Sequence, residues 1–250
     1  MEQLLIWLVI LVVLLFAGCT IGYLAVNEKL PTGTPGPEAD ALAQKVLDRL
    51  NHNGWQQTAW VAWDFDQRQQ YVWHRSKNRV EVSWKKNRVL LQLQNPEQSV
   101  AFRKGERLST EAAQALIEKA LRNFNNDSFW FIAPFKLFDV GSQRALVPNK
   151  TGGNDLLITY TKGGSTPGDS YLWQLDAEGQ PLSYRMWVSI IPIGGLKATW
   201  ESWENLSSGA RVATRHQFAG MLPIKILNLR SGDTYQDLDL KEDPFAALAE

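Results

Sequence analysis

Between Asp155 and Asn205 the chain reads DLLITYTKGGSTPGDSYLWQLDAEGQPLSYRMWVSIIPIGGLKATWESWEN, and this stretch leaves little choice of fold. Four short runs, Asp155–Thr161, Tyr171–Asp176, Leu182–Val188 and Leu196–Trp203, are rich in β-branched and aromatic residues. Gly, Pro, Asp and Ser separate them and supply the φ values that tight turns need. In Asp176-Ala-Glu-Gly-Gln-Pro-Leu182, Gly179 suits a left-handed turn position. Pro181 cannot donate to a central ladder, so it marks the entry of the next strand. The pattern predicts an antiparallel meander.

The preceding residues extend it. Thr58–Phe65, Tyr71–Arg75, Arg79–Trp84, Arg88–Leu93 and Ser99–Lys104 alternate apolar with polar and are joined by hairpin-length turns. That favours an antiparallel sheet with one buried face. Ala210–Phe218 and Ile224–Leu229 add two more strands. Two helices interrupt the β pattern. Over Glu38–Asn53, Leu42, Val46, Leu47 and Leu50 form one stripe between Pro37 and the stop at Gly54. Over Thr110–Asn125, Thr110 can cap and Ala113, Leu116, Ile117, Ala120, Leu121 and Phe124 line one side. Then Ser128–Phe138 places five aromatics in eleven residues around Pro134, which breaks any continuous helix. So apolar a segment must pack onto the sheet or sit at the mouth of a cavity. Lys241–Glu250 reads as a frayed tail.

Leu4–Val26 is an uncharged run of 23 residues. As a helix it spans roughly 34 Å, enough for a bilayer core. Trp7 and Tyr23 lie near its ends, where amphipathic rings favour the interface. The opening Met-Glu-Gln lacks the basic residues of a cleaved signal, which favours a retained single-pass anchor, residues 1–26. Charge specifies its orientation weakly, with no Lys or Arg before the span and Lys29 the only nearby one after it; the following domain is expected in the periplasm. The rival reading is an envelope lipoprotein. Phe16-Ala-Gly-Cys19 resembles a lipobox, with Cys19 as the acylated residue. Residues 27–37 are dense in Pro and Gly and read as an extended, water-exposed spacer, and 38–250 as the β domain.

Twenty-six basic and 26 acidic side chains balance to zero, which gives no electrostatic case for nucleic acid. A single Cys excludes an intramolecular disulfide and a Cys-based zinc site, and His52, His74 and His216 are far apart. Gly163-Gly-Ser-Thr-Pro167 fails the nucleophile-elbow pattern at its last position. The carboxylate pairs Asp64/Asp66 and Asp237/Asp239 read as solvated turn residues. The expectation is a protein without cofactor, metal site or catalytic residues, and not an enzyme.

The order of elements resembles the bacterial lipoprotein-carrier fold (LolA/LolB-like), through Phe129-Trp-Phe-Ile-Ala-Pro-Phe-Lys-Leu-Phe138 after the helix and the hairpin Tyr171–Leu182. Thr166-Pro-Gly-Asp-Ser-Tyr-Leu-Trp173 is similar to envelope proteins of Bacteroidetes-type bacteria. The resemblance covers about Glu38 to Leu229. It implies an α+β, mainly antiparallel fold: a strongly curved, incomplete β-barrel covered on its concave side by two helices, with an N-terminal transmembrane helix added here. It further implies acyl chains of lipid or lipoprotein as ligand. The anchor makes a tethered receptor or sensor a better fit than a shuttle.

Eleven Trp and ten Phe require a sizeable core, a cavity or a binding face. A ligand cavity would be lined from the first strands by Trp63, Phe65, Trp73, Val82, Trp84, Leu91 and Phe102. Phe131 would join from the helical segment, and Trp173, Met186 and Trp200 from the later strands. A filled core explains the same residues equally well. The alternative function is a surface β module binding carbohydrate or a protein partner through an exposed Trp. Trp200 and Trp203 are three apart and point to opposite faces of a regular strand, which would leave one outside.

Overall fold

The structure, a computed structural model, describes Trp7 and residues 26–163 and 166–248. Two helices open it, α1 (Pro37–Arg49) and α2 (His52–Gln57). Six strands follow: β1 (Trp60–Phe65), β2 (Gln69–His74), β3 (Arg79–Trp84), β4 (Asn87–Gln92), β5 (Val100–Arg103) and β6 (Glu106–Arg107). The long helix α3 (Thr110–Ile132) leads to β7 (Ser142–Pro148), β8 (Asn154–Tyr160), β9 (Ser170–Leu175) and β10 (Pro181–Trp187). The chain ends with β11 (Leu196–Thr199), β12 (Glu201–Asn205), β13 (Arg211–Phe218) and β14 (Leu222–Gly232).

The fold is α+β. Among the described residues the fourteen strands form one antiparallel sheet that does not close. Each half is a meander, as the turn chemistry predicts, and β1 pairs with β14 to join the halves, with Val61 opposite Ser231 and Phe65 opposite Ile226. The free edges are β6 and β7, and α3 is the connection between them.

Period-2 alternation explains most of the packing. Val61, Trp63 and Phe65 of β1 enter the main core, with Tyr71, Val80, Val82, Val89 and Leu91. The intervening Trp60 and Ala62 face the other way and join Leu90 in a second, smaller cluster. That cluster is closed by Leu238, Phe245 and Leu248. The C-terminal residues are therefore not a frayed tail: Phe245 is 1% exposed, its ring 5.7 Å from Trp60, and Arg88 Nη2 donates to Pro244 O at 2.8 Å.

The helices depart from expectation at their ends. α1 stops at Arg49 because Asn51 adopts φ 55°, and the Asn51 side chain then caps α2 by accepting from Gly54 N at 3.1 Å. α3 is capped by Ser109 rather than Thr110, and it runs past Asn125 through Phe129, Trp130 and Phe131 before Pro134 turns it into a 3-10 turn. β7 is an edge strand that its weak alternation concealed.

The Pro/Gly segment, expected to stand free in water, is pinned to the sheet at two points. Thr34 and Leu146 exchange backbone hydrogen bonds of 2.8 and 2.9 Å. Glu28 N donates to Gly194 O at 3.0 Å. Among the described residues no helix is long and apolar enough to cross a membrane. The span expected over Leu4–Val26, with Cys19, lies outside the described residues except for Trp7 and Val26.

Candidate functional site

The sequence concentrates aromatics in β1, β2, β8–β10, at Trp200 just after β11, and in the second half of α3, and the fold brings them together. α3 packs against β4 and β5 on one side and β13 on the other. Its ring-bearing residues sort accordingly. Phe131 meets Trp63 edge-on at 4.8 Å, and Phe124 meets Trp73 at 5.1 Å. Phe129 lies 5.0 Å from Tyr171, and Trp130 lies 5.3 Å from His216. Beyond them Trp173, Tyr184 and Trp200 stack on one another, with Trp173 and Trp200 5.3 Å apart.

Of the residues proposed to line a cavity, Trp63, Phe65, Val82, Trp84, Leu91, Phe131, Trp173, Met186 and Trp200 are all buried in this main core, and Trp73 packs against it half-buried. Phe102 does not belong with them. Ala101 pairs with Val89 and takes the inward position on β5, which turns Phe102 to the opposite face beside the second cluster, under the Arg88 guanidinium. A space large enough for water would leave its wall exposed, yet Trp63 is 1% and Trp173 0% exposed. Here the interior is filled by its own side chains. Shallow clefts open on the described surface. One of about 390 Å³ is bordered by Leu42, Lys45 and Leu146, another of about 280 Å³ by Asp64, Arg68 and Trp84; Trp63, Trp173 and Trp200 line neither.

Polar atoms within this interior set it apart from an ordinary core. The indole Nε1 atoms of Trp63, Trp73, Trp173 and Trp200, the Tyr160 hydroxyl and Asn123 Nδ2 are buried without a hydrogen-bond partner. Indole is a donor only. Each buried, unpaired group costs about 1–3 kcal/mol, so such a cluster is expensive unless something with acceptor atoms reaches it. Three groups are better served. Tyr71 Oη donates to Asp127 Oδ2 at 2.6 Å, Asn126 Nδ2 donates to Asp127 Oδ1 at 2.9 Å, and His216 Nδ1 is 2.7 Å from Thr199 O. Burial raises the Asp127 pKa despite these donors, and lowers that of His216 to about 4. Sequence reading passed over Asp127, because one polar residue in an apolar helix face carries no spacing signal.

Trp200 and Trp203 were expected on opposite faces. Ser202 adopts φ 54°, outside the β region, and the two rings stack at 6.2 Å and 29°. Trp200 is buried and Trp203 half-buried, with Arg211 above its ring. The carboxylate pairs are only in part turn residues: Asp64 lies on β1 and accepts from Asn228 Nδ2 at 2.6 Å, Asp66 in the turn after it pairs with Arg68 at 2.7 Å, and Asp237 accepts from the backbone of Asp233 and Thr234. Among the described residues no three His, Cys, Asp or Glu are placed to hold a metal ion. In comparisons with known proteins, no family model matches the chain and no curated protein matches it.

Proposed function

We propose that the chain is a membrane-tethered, extracytoplasmic domain of the bacterial envelope that binds lipid or lipoprotein acyl chains and is not an enzyme. The observation that carries this is the aromatic interior under α3, apolar in its walls and studded with donors that lack partners. An acyl chain suits the walls, and the ester or amide oxygens of a lipid suit the indole N–H groups. Binding requires α3 to move off the sheet, since the side chains fill the space when it is down.

The sheet is best read as a strongly curved, incomplete barrel with the helices on its concave side. α3 packs against β4 and β5 of the first half and against β13 of the second. One helix in contact with strands from both halves supports a sheet wrapped around it. The binding of carbohydrate or protein through an exposed Trp has less to stand on, with Trp200 buried and Trp203 stacked upon it.

The test is photo-crosslinking of the full chain in vesicles that contain a phospholipid with a diazirine on its acyl chain. Adducts on α3 and on the strands bearing Trp63, Trp173 and Trp200 are expected. Adducts confined to Leu4–Val26 would leave the tether in place and remove the ligand.

A further inference from the structure

Four large exposed apolar side chains, Val140, Ile190, Met221 and Leu222, gather at one end of the sheet, and we infer that this end rests on the lipid bilayer surface. The register places them. Met186 of β10 pairs with Leu196 of β11, Ala219 N donates to Lys197 O at 2.8 Å, and Phe218 of β13 pairs with Leu222 of β14. The β10–β11 connection and the β13–β14 turn therefore leave the sheet side by side. β7 begins at the same end, where Gly141 O accepts from Thr161 N at 2.8 Å, just after Val140. At these tips Val140 is 87%, Ile190 69%, Met221 77% and Leu222 58% exposed. Single exposed apolar residues need no explanation, but several large ones at one end of a molecule mark a surface that is covered in use. At the opposite end the turns present Lys150, Glu178 and Ser207, beside one large exposed apolar side chain, Leu182.

What covers the apolar end is indicated by where the N-terminal run joins the fold. The uncharged sequence Leu4–Val26 enters at Asn27 and Glu28, and these two are clamped to the β10–β11 connection itself. Gly194 N donates to Asn27 Oδ1 at 2.8 Å, Trp187 Nε1 donates to Glu28 O at 2.7 Å, and Arg185 pairs with the Glu28 carboxylate. Gly194 and Gly195 leave just enough room. A Cβ on either would approach Glu28 to 2.6 Å. An apolar segment long enough for a bilayer thus reaches the domain at the end that carries its apolar tips. Trp187 is half-buried there, an amphipathic ring suited to the headgroup region. Lys197 and Lys225 are exposed on the strands that run up from these turns, placed to meet anionic headgroups.

This rests on the tethering part of the proposed function and not on what α3 covers. The test uses the full chain in phosphatidylcholine–phosphatidylglycerol vesicles, with Cys19 untouched. An environment-sensitive fluorescent amino acid replaces Ile190, Met221 or, as the control at the far end, Glu178. Probes at 190 and 221 should emit at shorter wavelength than the probe at 178. Lipids with a spin label high on the acyl chain should quench them several times more strongly. If chains that float with the vesicles give the same water-like, unquenched emission at all three positions, the inference fails and the tether survives. Blue-shifted probes at 190 and 221 that spin-labelled lipid does not quench would mean a protein covers this end, a second copy included, and would also overturn it. Chains that do not float with the vesicles would remove the tether itself and the inference with it.

Discussion

Tyr71 Oη donates a 2.6 Å hydrogen bond to Asp127 Oδ2 across the contact between β2 and α3, with both residues almost wholly buried. A carboxyl group in that position is out of its element, and burial raises its pKa while the donors from Tyr71 and Asn126 pull it back. The pair is the main polar tie between the helix and the first half of the sheet.

Tyr71→Phe should destabilise the fold by about 2 kcal/mol, because it leaves a buried carboxyl group short of a donor. Asp127→Asn separates the charge from the contact. The raised pKa means that the folded state holds the proton more tightly than the unfolded chain. Its stabilisation is then full below the ordinary value of 3.8 and is lost as pH rises through the folded value. Asp127→Asn should therefore gain on the parent between pH 4 and pH 7 in urea unfolding. An unchanged difference at the two pH values would show that Asp127 does not titrate as its burial demands.

His216 works in the opposite direction. It is fully buried, and desolvation depresses its pKa from 6.5 to about 4. A depressed value means stability that is present above pH 6.5 and lost as pH falls towards 4, about 3 kcal/mol over that window. His216→Phe should flatten the acid limb of the stability profile. Some slope will remain, because burial also lowers the pKa of His52 and His74. Equal slopes for parent and variant would place the acid sensitivity elsewhere.

The sheet was legible because alternation and turn residues are local signals. β1 to β5 and β8 to β11 fall within a few residues of their expected bounds. Which face is inward is not a local matter. Val100 and Phe102 share a face, as the pattern requires, but small Ala101 took the core side and put both on the other. The inward position went to the residue that fits beneath α3, and no single-strand pattern carries that information. Trp203 was misplaced for a related reason: one residue at φ 54° undoes the parity on which the argument rested. The Tyr71–Asp127 tie and the unpartnered indoles were hidden because they arise from elements distant in sequence.

The C-terminal segment gives a direct test of the second cluster. Phe245 fills it against Trp60 and lies 6.3 Å from His74, itself stacked on Trp60 at 3.9 Å. Phe245→Ala should cost about 3 kcal/mol, at the low end for a buried Phe because the site is near the surface. Iodide should quench Trp60 more in the variant, read as the difference from a Trp60→Phe background. If stability is unchanged, the segment adheres without contributing.

Gly194 determines whether the N-terminal segment is held at all. Its own Cβ position lies 2.4 Å from Trp187 Cδ1 and 2.6 Å from Glu28 O, so Gly194→Ala forces one of the two to shift. The indole belongs to β10, an interior strand, whereas Glu28 belongs to a strap held by a few hydrogen bonds, so the strap should lift. It then loses the Glu28 N–H bond to Gly194, the Gly194 N–H bond to Asn27, the indole bond and the ion pair with Arg185 together. At about 1 kcal/mol for each hydrogen bond, the loss of about 3 kcal/mol falls on the strap and spares the core. Hydrogen exchange at the Glu28 amide should speed up roughly 150-fold, while Leu146, paired with Thr34 farther along, keeps its protection. A Glu28 amide as protected in Gly194→Ala as in the parent would mean that the glycine is not what admits the strap.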